Sequence, residues 1–253
     1  MNDHSFIEKS PESNYADPQT DHYLSLFERE PVLSPPANPI RTKRRTASKE
    51  QRQAQLIKAT IRSIAKHGLS ETTMATVAGE AGLSQGIINL HFQSKERLLE
   101  ETLRFIVEEY RVAWRNALDS SGESAADKLE ALVRVDFDKR ICQRNKLAVW
   151  FAFWGESRSR LTYRRICSEH GREYKQVLTG LCQELIAKGN YVMTADHIAT
   201  GLVSMTVGLW LDLLLSPAEM NPQQALEISL GYLRGIFPAS FSMPDQHTGA
   251  SLA

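Results

Sequence analysis

An all-helical fold is predicted by three features of this 253-residue sequence. Apolar residues recur at helical spacing from Ser48 onward. Cap and stop signals, such as Ser216-Pro217 and Asn221-Pro222, divide that region into separate helices. No stretch shows the apolar-polar alternation that is typical of strands. We therefore expect an N-terminal three-helix unit followed by a larger helical domain.

The predicted helices follow one another from residue 49. Gly68 ends the first helix, where a C′ glycine belongs, and Thr73 caps the second. Ser94 and Thr194 cap later helices in the same way. The approximate spans are 49–67, 74–81, 85–92, 94–117, 125–140, 144–156, 159–188, 194–215 and 222–236.

Both ends of the chain are predicted to be disordered. Residues 1–40 hold six of the ten prolines and carry seven acids against two bases, a net charge of −5. Such a composition buries too little apolar surface to fold. Residues 238–253 are assigned to a second disordered tail.

A compact basic block, residues 41–67, follows the acidic tail. It contains nine Lys and Arg and one acid, a net charge of +8, in a chain whose formal charge is zero. A block of this kind is typical of a phosphate-binding surface. Its first part, residues 41–47, is predicted to be an arm in which Arg44 and Arg45 attract DNA phosphates or reach the adjacent minor groove.

The cysteines and the N-terminus indicate a protein of the reducing cytoplasm. Cys142, Cys167 and Cys182 form no Cys-x-x-Cys pair, so neither a disulfide nor a metal site is predicted. The chain begins with acids instead of a signal peptide. The apolar stretch 198–215 contains Asp212 and lacks close basic anchors, so we interpret it as a buried helix and predict no membrane partner.

Enzyme motifs are missing from the sequence. It contains no phosphate loop, no dinucleotide glycine fingerprint, no Gly-x-Ser-x-Gly and no His-Glu-x-x-His. His170 and His197 are isolated from other candidate catalytic residues. We therefore predict that the protein is not an enzyme and that it needs no cofactor.

Residues 48–93 are predicted to be a helix-turn-helix DNA-binding domain. Its second and third helices are joined by Ala81-Gly82-Leu83-Ser84, in which glycine permits the left-handed turn. Gln85 stands one helical turn from Asn89, so both amides can reach base edges in the major groove and pair with adenine.

The segments TTMATVA at 72–78, AGLS at 81–84 and FQSKERLL at 92–99 resemble the TetR family of transcriptional regulators. The segments WFAFW at 150–154 and GLWL at 208–211 are similar to its BetI subfamily of choline-responsive repressors. The resemblance implies a cytoplasmic, bacterial, homodimeric repressor that binds a palindromic operator in double-stranded DNA, associates with the nucleoid when bound, and is released by a small-molecule effector.

The resemblance also implies which side chains contact DNA. Base contacts are expected from Gln85, Gly86, Ile87, Asn89 and Leu90, and phosphate contacts from Thr46, Thr73, His91 and Lys95, beside Arg44 and Arg45 of the arm. Lys95 has an argument of its own, because it starts a helix whose amides and dipole already favour an anion.

The helical domain 94–237 is predicted to bind the effector and to form the dimer. Its effector-binding candidates are the rings of Trp150, Trp154, Tyr174 and Trp210. Aromatic rings around a cavity bind quaternary ammonium groups through the ring quadrupole. Such clusters are also ordinary core, and the sequence leaves both interpretations open.

A cation pocket benefits from a nearby carboxylate, for which the candidates are Glu156 and Asp212. BetI-type sequences carry an acid just before the Gly-Leu-Trp segment, where this chain has Val207. The difference leaves open a relocated counter-ion, a different ligand, or a regulator of unrelated metabolism or efflux that responds to a neutral or aromatic molecule.

Apolar rows along the last two helices predict a homodimer, since one small bundle cannot bury both of them. An alternative of another class is a helical interaction protein that binds no DNA. A protein of that kind would have no need of a basic block directly before a helix-turn-helix.

Overall fold

The computed structural model describes residues 48–241, which form α-helices and no strand, as predicted. The helices are α1 (Lys49–Glu71), α2 (Met74–Ala81), α3 (Gln85–Phe92), α4 (Lys95–Ser120), α5 (Ala125–Asp136), α6 (Arg144–Glu156), α7 (Leu161–Ile186), α8 (Ala195–Leu215) and α9 (Pro222–Ile236).

The predicted acidic tail 1–40 and the basic arm 41–47 lie outside the described residues, as do Arg44, Arg45 and Thr46. The chain divides after Ala54 into two units. Of the first unit, the structure describes only residues 48–54, where the Ser48 hydroxyl accepts a hydrogen bond from the Gln51 amide.

Helices α1 to α3 form the N-terminal head of the fold. Gly68 has a left-handed φ of 80°, so regular helix ends where the sequence predicted, although helical hydrogen bonding resumes as far as Glu71. Thr73 caps α2 in a capping box with Thr76, and Gly82 makes the left-handed turn into α3 with a φ of 64°. These local signals explain why the predicted bounds of α2 and α3 are correct.

The second part of the fold is a bundle in which α7 packs on α4, α5 and α8, and α6 packs on α8. Helix α5 ends at Asp136, four residues before the predicted 140. The physical reason is local: the Asp138 carboxylate accepts a hydrogen bond from the Arg140 amide at 2.8 Å, which competes with continued helix.

The ordered fold extends past the predicted start of the C-terminal tail at residue 238. Residues 238–241 form a turn, and the buried Phe241 ring lies 6.3 Å from that of Phe237. The described fold therefore extends to the buried Phe241, beyond the predicted domain end at residue 237.

Helix α8 is long and apolar enough to cross a membrane by length and composition alone. Its inner face nevertheless packs on α7 and α6 and bonds polar groups of the bundle, with Ile198, Leu202 and Trp210 buried. This supports the prediction of a core helix. The outer side of α8 and α9 leaves Leu211, Leu215 and Ile228 exposed in the single chain.

Candidate functional site

Helix α3 presents a polar face to solvent and anchors itself through two buried residues. Ile88 and Phe92 are 0% and 3% exposed and fix the helix in the head. Of the five residues predicted to contact bases, Ile87 is half-buried, and the others are exposed: Gln85, Gly86, Asn89 and Leu90. Leu90 is 76% exposed.

The predicted phosphate-contacting residues within the described range lie at the edges of this face. Thr73 is exposed at the start of α2, and His91 is half-buried at the end of α3. The Lys95 ammonium donates a hydrogen bond to the Ser70 carbonyl at 3.0 Å, just ahead of Thr73. The Lys95 ammonium therefore lies beside the loop that leads into α2.

Helix α1 holds the turn between α2 and α3 from behind. Gln55 donates to the Ala81 carbonyl at 2.8 Å, and Arg62 donates to the Glu80 carbonyl at 2.7 Å. Arg62 and Lys66 also lie 3.5 and 3.6 Å from the Glu80 carboxylate. Arg62 and Lys66 belong to the predicted phosphate-binding block, but in the structure they pair with Glu80 of α2. Exposed ion pairs of this kind add little stability.

A second candidate site lies in the bundle, where aromatic rings from four helices meet around Tyr110 of α4. The Tyr110 ring centroid lies 6.4 Å from Trp150, 5.2 Å from His170, and 5.6 Å from both Tyr174 and Trp210. These partners belong to α6, α7, α7 and α8. Edge-to-face contacts of this kind stabilise by about 0.5–1.5 kcal/mol each beyond area burial.

Trp154 joins the same group at its half-exposed margin. Its ring lies 5.6 Å from Trp150 and 6.5 Å from Trp210, with only 14° between the planes in the second pair. The fully buried Phe153 packs against Tyr163 at 4.9 Å. The structure thus brings together all four predicted rings in what we term the aromatic cluster: Tyr110, Trp150, Trp154, His170, Tyr174 and Trp210.

The buried side chain of Asp136, the last residue of α5, lies at the centre of the hydrogen bonds within this cluster. Its Oδ1 accepts hydrogen bonds from the hydroxyls of Tyr110 and Tyr174, the latter at 3.0 Å. The Thr206 hydroxyl lies 3.1 Å from its Oδ2. The indole of Trp210 donates to its backbone carbonyl at 2.8 Å.

Burial controls the protonation of this cluster. Desolvation raises the pKa of Asp136 from 3.8 to about 7, against the opposing effect of the three hydroxyls. Desolvation also lowers the pKa of His170 to about 4, so its ring is neutral near pH 7. Among the described residues, no Lys or Arg forms an ion pair with Asp136.

The two carboxylates predicted for the pocket are not the ones that meet the rings. Glu156 lies 3.9 Å from Arg160, one turn further along the chain, and accepts from the Ser159 hydroxyl. Asp212 is exposed on α8. The inward face of α8 carries Thr206, Leu209 and Trp210, which leaves Asp212 on the outward side. The buried carboxyl beside the rings is that of Asp136.

Sequence reasoning missed Asp136, Tyr110 and His170. A signal for Asp136 was present: it follows Leu132 and Val133 at the helical spacing of four and three residues, so it belongs to the apolar face of α5. A carboxylate on such a face is rare unless it is partnered.

Four side chains of the bundle have a buried polar atom without a hydrogen-bond partner within residues 48–241. These atoms are both ring nitrogens of His170, the indole nitrogen of Trp114, Nε of Arg111 and the hydroxyl of Tyr163. Unsatisfied buried groups are few in folded proteins and call for an explanation.

Two protein families match parts of the chain. Residues 56–102 match the bacterial regulatory proteins of the tetR family, and residues 125–238 match the C-terminal domain of BetI-type transcriptional repressors. The HTH-type transcriptional regulator BetI of Burkholderia thailandensis is 34% identical over 185 residues, which cover 73% of this chain and 93% of the relative. This chain belongs to the TetR family of transcriptional regulators.

Another curated relative and two solved structures are also similar to this TetR-family protein. BetI of Paraburkholderia phymatum is 34% identical and covers 73% of this chain and 92% of its own. A crystal structure of a regulator from Pseudomonas aeruginosa PAO1 has 28% identity and a TM-score of 0.66, covering 77% of this chain and 94% of that one. A regulator from Saccharomonospora viridis, in complex with choline, shares the fold at 22% identity and a TM-score of 0.65, over 72% and 95% of the two chains.

These matches confirm the resemblance seen in the sequence: the protein is a TetR-family repressor with a C-terminal domain of the BetI type. Its relatives are transcriptional regulators, which confirms that it is not an enzyme. Regulators of this family are cytoplasmic proteins that bind DNA and small-molecule effectors, typically as dimers.

Replacing Asp136 tests the energetics of the buried carboxyl. Because its pKa is higher in the folded chain, its favourable contribution to folding is present below about pH 4 and is lost as the pH rises to about 7. Asp136→Asn should therefore be more stable than the wild type at pH 8 by up to about 4 kcal/mol, and the gain should shrink toward pH 4. Urea unfolding at both pH values measures the difference.

Asp138→Asn is the matched control, with the opposite sign. The hydrogen bonds and charge of Arg140 hold the pKa of Asp138 below its ordinary value, so its loss should destabilise the protein at pH 8. Equal pH dependence of the two variants would show that the pKa values of Asp136 and Asp138 are not shifted in opposite directions.

Proposed function

We propose that this TetR-family protein binds a palindromic operator as a homodimer and releases it when an organic cation of the choline type enters the aromatic cluster. The protein would act in the bacterial cytoplasm and, while bound to its operator, on the nucleoid. The observation that supports the ligand class is the convergence of aromatic rings from four helices around one buried carboxyl.

The DNA-reading role is assigned to the exposed face of α3. The amides of Gln85 and Asn89 lie on it one turn apart, where each can bond an adenine in the major groove. Gly86, Ile87 and Leu90 complete the base-contacting set, with the exposed Leu90 suited to a thymine methyl group.

Phosphate contacts fix the register of α3 on the duplex. Within the described residues they are assigned to Thr73, His91 and Lys95, of which Lys95 already lies beside the loop that precedes Thr73. The sequence-based assignments to the arm, Arg44, Arg45 and Thr46, belong to the same proposal.

The homodimer accounts for the exposed apolar side of α8 and α9. Leu211, Leu215 and Ile228 are 39%, 69% and 45% exposed in the single chain. A second copy would cover them around a two-fold axis. Two heads related by that axis would enter successive major grooves about 34–36 Å apart, which requires a palindromic operator.

The choline class of ligand follows from the chemistry of the cluster. The relative from Saccharomonospora viridis, which shares this fold, is described in complex with choline. Indole faces such as those of Trp150, Trp154 and Trp210 attract quaternary ammonium groups, contributing about 2 kcal/mol when desolvated. The alternative to a choline-type cation is a neutral or aromatic effector.

Helix α4 is the proposed link between ligand and operator. It begins at Lys95 in the head and reaches Tyr110 in the aromatic cluster without interruption. A ligand that repositions Tyr110 therefore repositions the start of the same helix. Typical coupling of about 1–3 kcal/mol weakens operator binding about 5- to 150-fold.

Alanine substitution on α3 tests the DNA-reading role. Gln85→Ala and Asn89→Ala should each lose about 1–3 kcal/mol on a duplex selected from a random pool by the wild-type protein, because each removes a two-bond base contact. Binding to a scrambled duplex should stay unchanged. Fluorescence anisotropy titrations at one fixed salt concentration measure both affinities.

The control for these variants is Asn116→Ala, which removes an exposed amide of α4 outside the head. It should bind both duplexes as the wild type does. Equal weakening of Gln85→Ala on the selected and the scrambled duplex would assign that side chain to phosphate instead of bases.

Calorimetry with matched ligands tests the cation. Choline, betaine aldehyde and glycine betaine are compared with 3,3-dimethylbutanol, a neutral molecule with the shape of choline. Choline should bind more tightly than the neutral alcohol, and Trp154→Leu should weaken choline binding about thirtyfold while ligand-free operator binding is kept.

Tyr191→Leu is the control, since Tyr191 packs on Phe237 at 5.2 Å and takes no part in the aromatic cluster. It should leave choline affinity unchanged. Equal binding of choline and the neutral alcohol, or no binding of any compound, would contradict the proposed ligand class.

A further inference from the structure

We infer that the carboxyl of Asp136 is the counter-ion of the cationic effector, and that it holds a proton while the site is empty and releases it when the cation binds. This inference rests on the proposed effector site. It adds a residue that fixes the charge of the ligand and couples effector affinity to pH.

Asp136 is a buried acid whose charge no described base compensates. Its side chain is 2% exposed, and within residues 48–241 no basic side chain forms an ion pair with it. An ionised carboxylate so far from water requires a compensating cation, or it takes up a proton. The empty site and the cation-filled site therefore differ in one proton.

The hydrogen bonds to Asp136 come from neutral side chains. Of the bases that follow it in the chain, Lys139 is exposed, and Arg140 and Lys146 form ion pairs with Asp138 and Glu109. The groups that face the carboxyl and its backbone carbonyl are Tyr110 of α4, Tyr174 of α7, Thr206 and Trp210 of α8, and Cys142 of the following loop.

The geometry accommodates both protonation states. Oδ1 accepts from two tyrosine hydroxyls, so an added proton belongs on Oδ2, where it can be donated to the Thr206 hydroxyl oxygen 3.1 Å away. Burial raises the pKa of both Tyr110 and Tyr174 well above the ordinary value, so neither phenol supplies the charge. The cluster has two accessible states, neutral and singly negative.

A second observation favours a ligand in this region. His170 is half-buried and its ring lies 5.2 Å from that of Tyr110, and both of its ring nitrogens are buried without a hydrogen-bond partner in the described part of the chain. A hydroxyl group on the effector would satisfy one of them. Choline carries both the quaternary ammonium for the carboxylate and a hydroxyl for such a nitrogen.

The proton balance predicts how affinity changes with pH. The cation enters, the Oδ2–H bond breaks, and the proton passes to the solvent. Since burial raises the pKa of Asp136 to about 7, choline binding should be about thirtyfold weaker at pH 5.5 than at pH 8.5. Above that pKa the affinity should level off.

The test is isothermal titration calorimetry of the full-length protein with choline chloride, in buffers of small and large ionisation enthalpy. Close to one proton per site should be released at pH 6 and close to none at pH 8.5. Binding by Asp136→Asn should be at least tenfold weaker than the wild type at pH 8.5, release no proton and lose its pH dependence. Asp138→Asn, the matched control two residues away, should keep the wild-type affinity and profile.

A second variant tests the inference while the carboxyl is kept. Tyr174→Phe removes one hydroxyl that stabilises the carboxylate, so proton release should persist while its midpoint moves to higher pH. An unmoved midpoint contradicts the inference.

The outcomes separate this inference from the proposed function. If choline binds the wild type without proton release, Asp136 is not the counter-ion, but the proposed effector site is retained. If neither choline nor tetramethylammonium binds at any pH, both the cation site and the counter-ion role of Asp136 are wrong. Operator binding, measured separately, still tests whether the protein reads DNA.

Discussion

The buried carboxyl of Asp136 is the interaction on which the arrangement of the bundle depends. Hydroxyls of Tyr110, Tyr174 and Thr206 reach it from α4, α7 and α8, and Trp210 donates to its backbone carbonyl. Oδ1 accepts from both tyrosines, whereas Oδ2 accepts from Thr206 alone, so loss of that hydroxyl would leave a buried oxygen unsatisfied at a cost of about 1–3 kcal/mol. The carboxyl therefore fixes four helices relative to one another in a region that is otherwise aromatic.

The head is built on a different principle, because its functional face must remain in solvent. Local caps at Thr73 and Ser94 and the left-handed Gly82 set the angle of α3, and Gln55 ties the turn to α1. The polar side chains on α3 then need no internal partners. Because α4 begins directly after this head and ends within the bundle, a change around Asp136 has a continuous helix along which to act.

Sequence patterns predicted the elements whose causes are local. The bounds of α2, α3, α6 and α9 were correct, since caps and turn residues such as Gly82 and Pro222 act within a few positions. The candidate site was predicted only in part. The tryptophans were visible as a dense pair of segments, but the partners of Asp136 lie 26, 38 and 70 positions away, and no local pattern shows such a convergence.

We propose that effector binding in the aromatic cluster is transmitted to the operator through Tyr110. The measurement that tests this is the ratio of operator dissociation constants with and without saturating choline at pH 8, for the wild type and for Tyr110→Phe. For the wild type we expect a ratio of about 5 to 150. For the variant we expect a ratio near one, although choline and operator each still bind alone. A ratio in Tyr110→Phe equal to that of the wild type would show that Tyr110 does not transmit the effect.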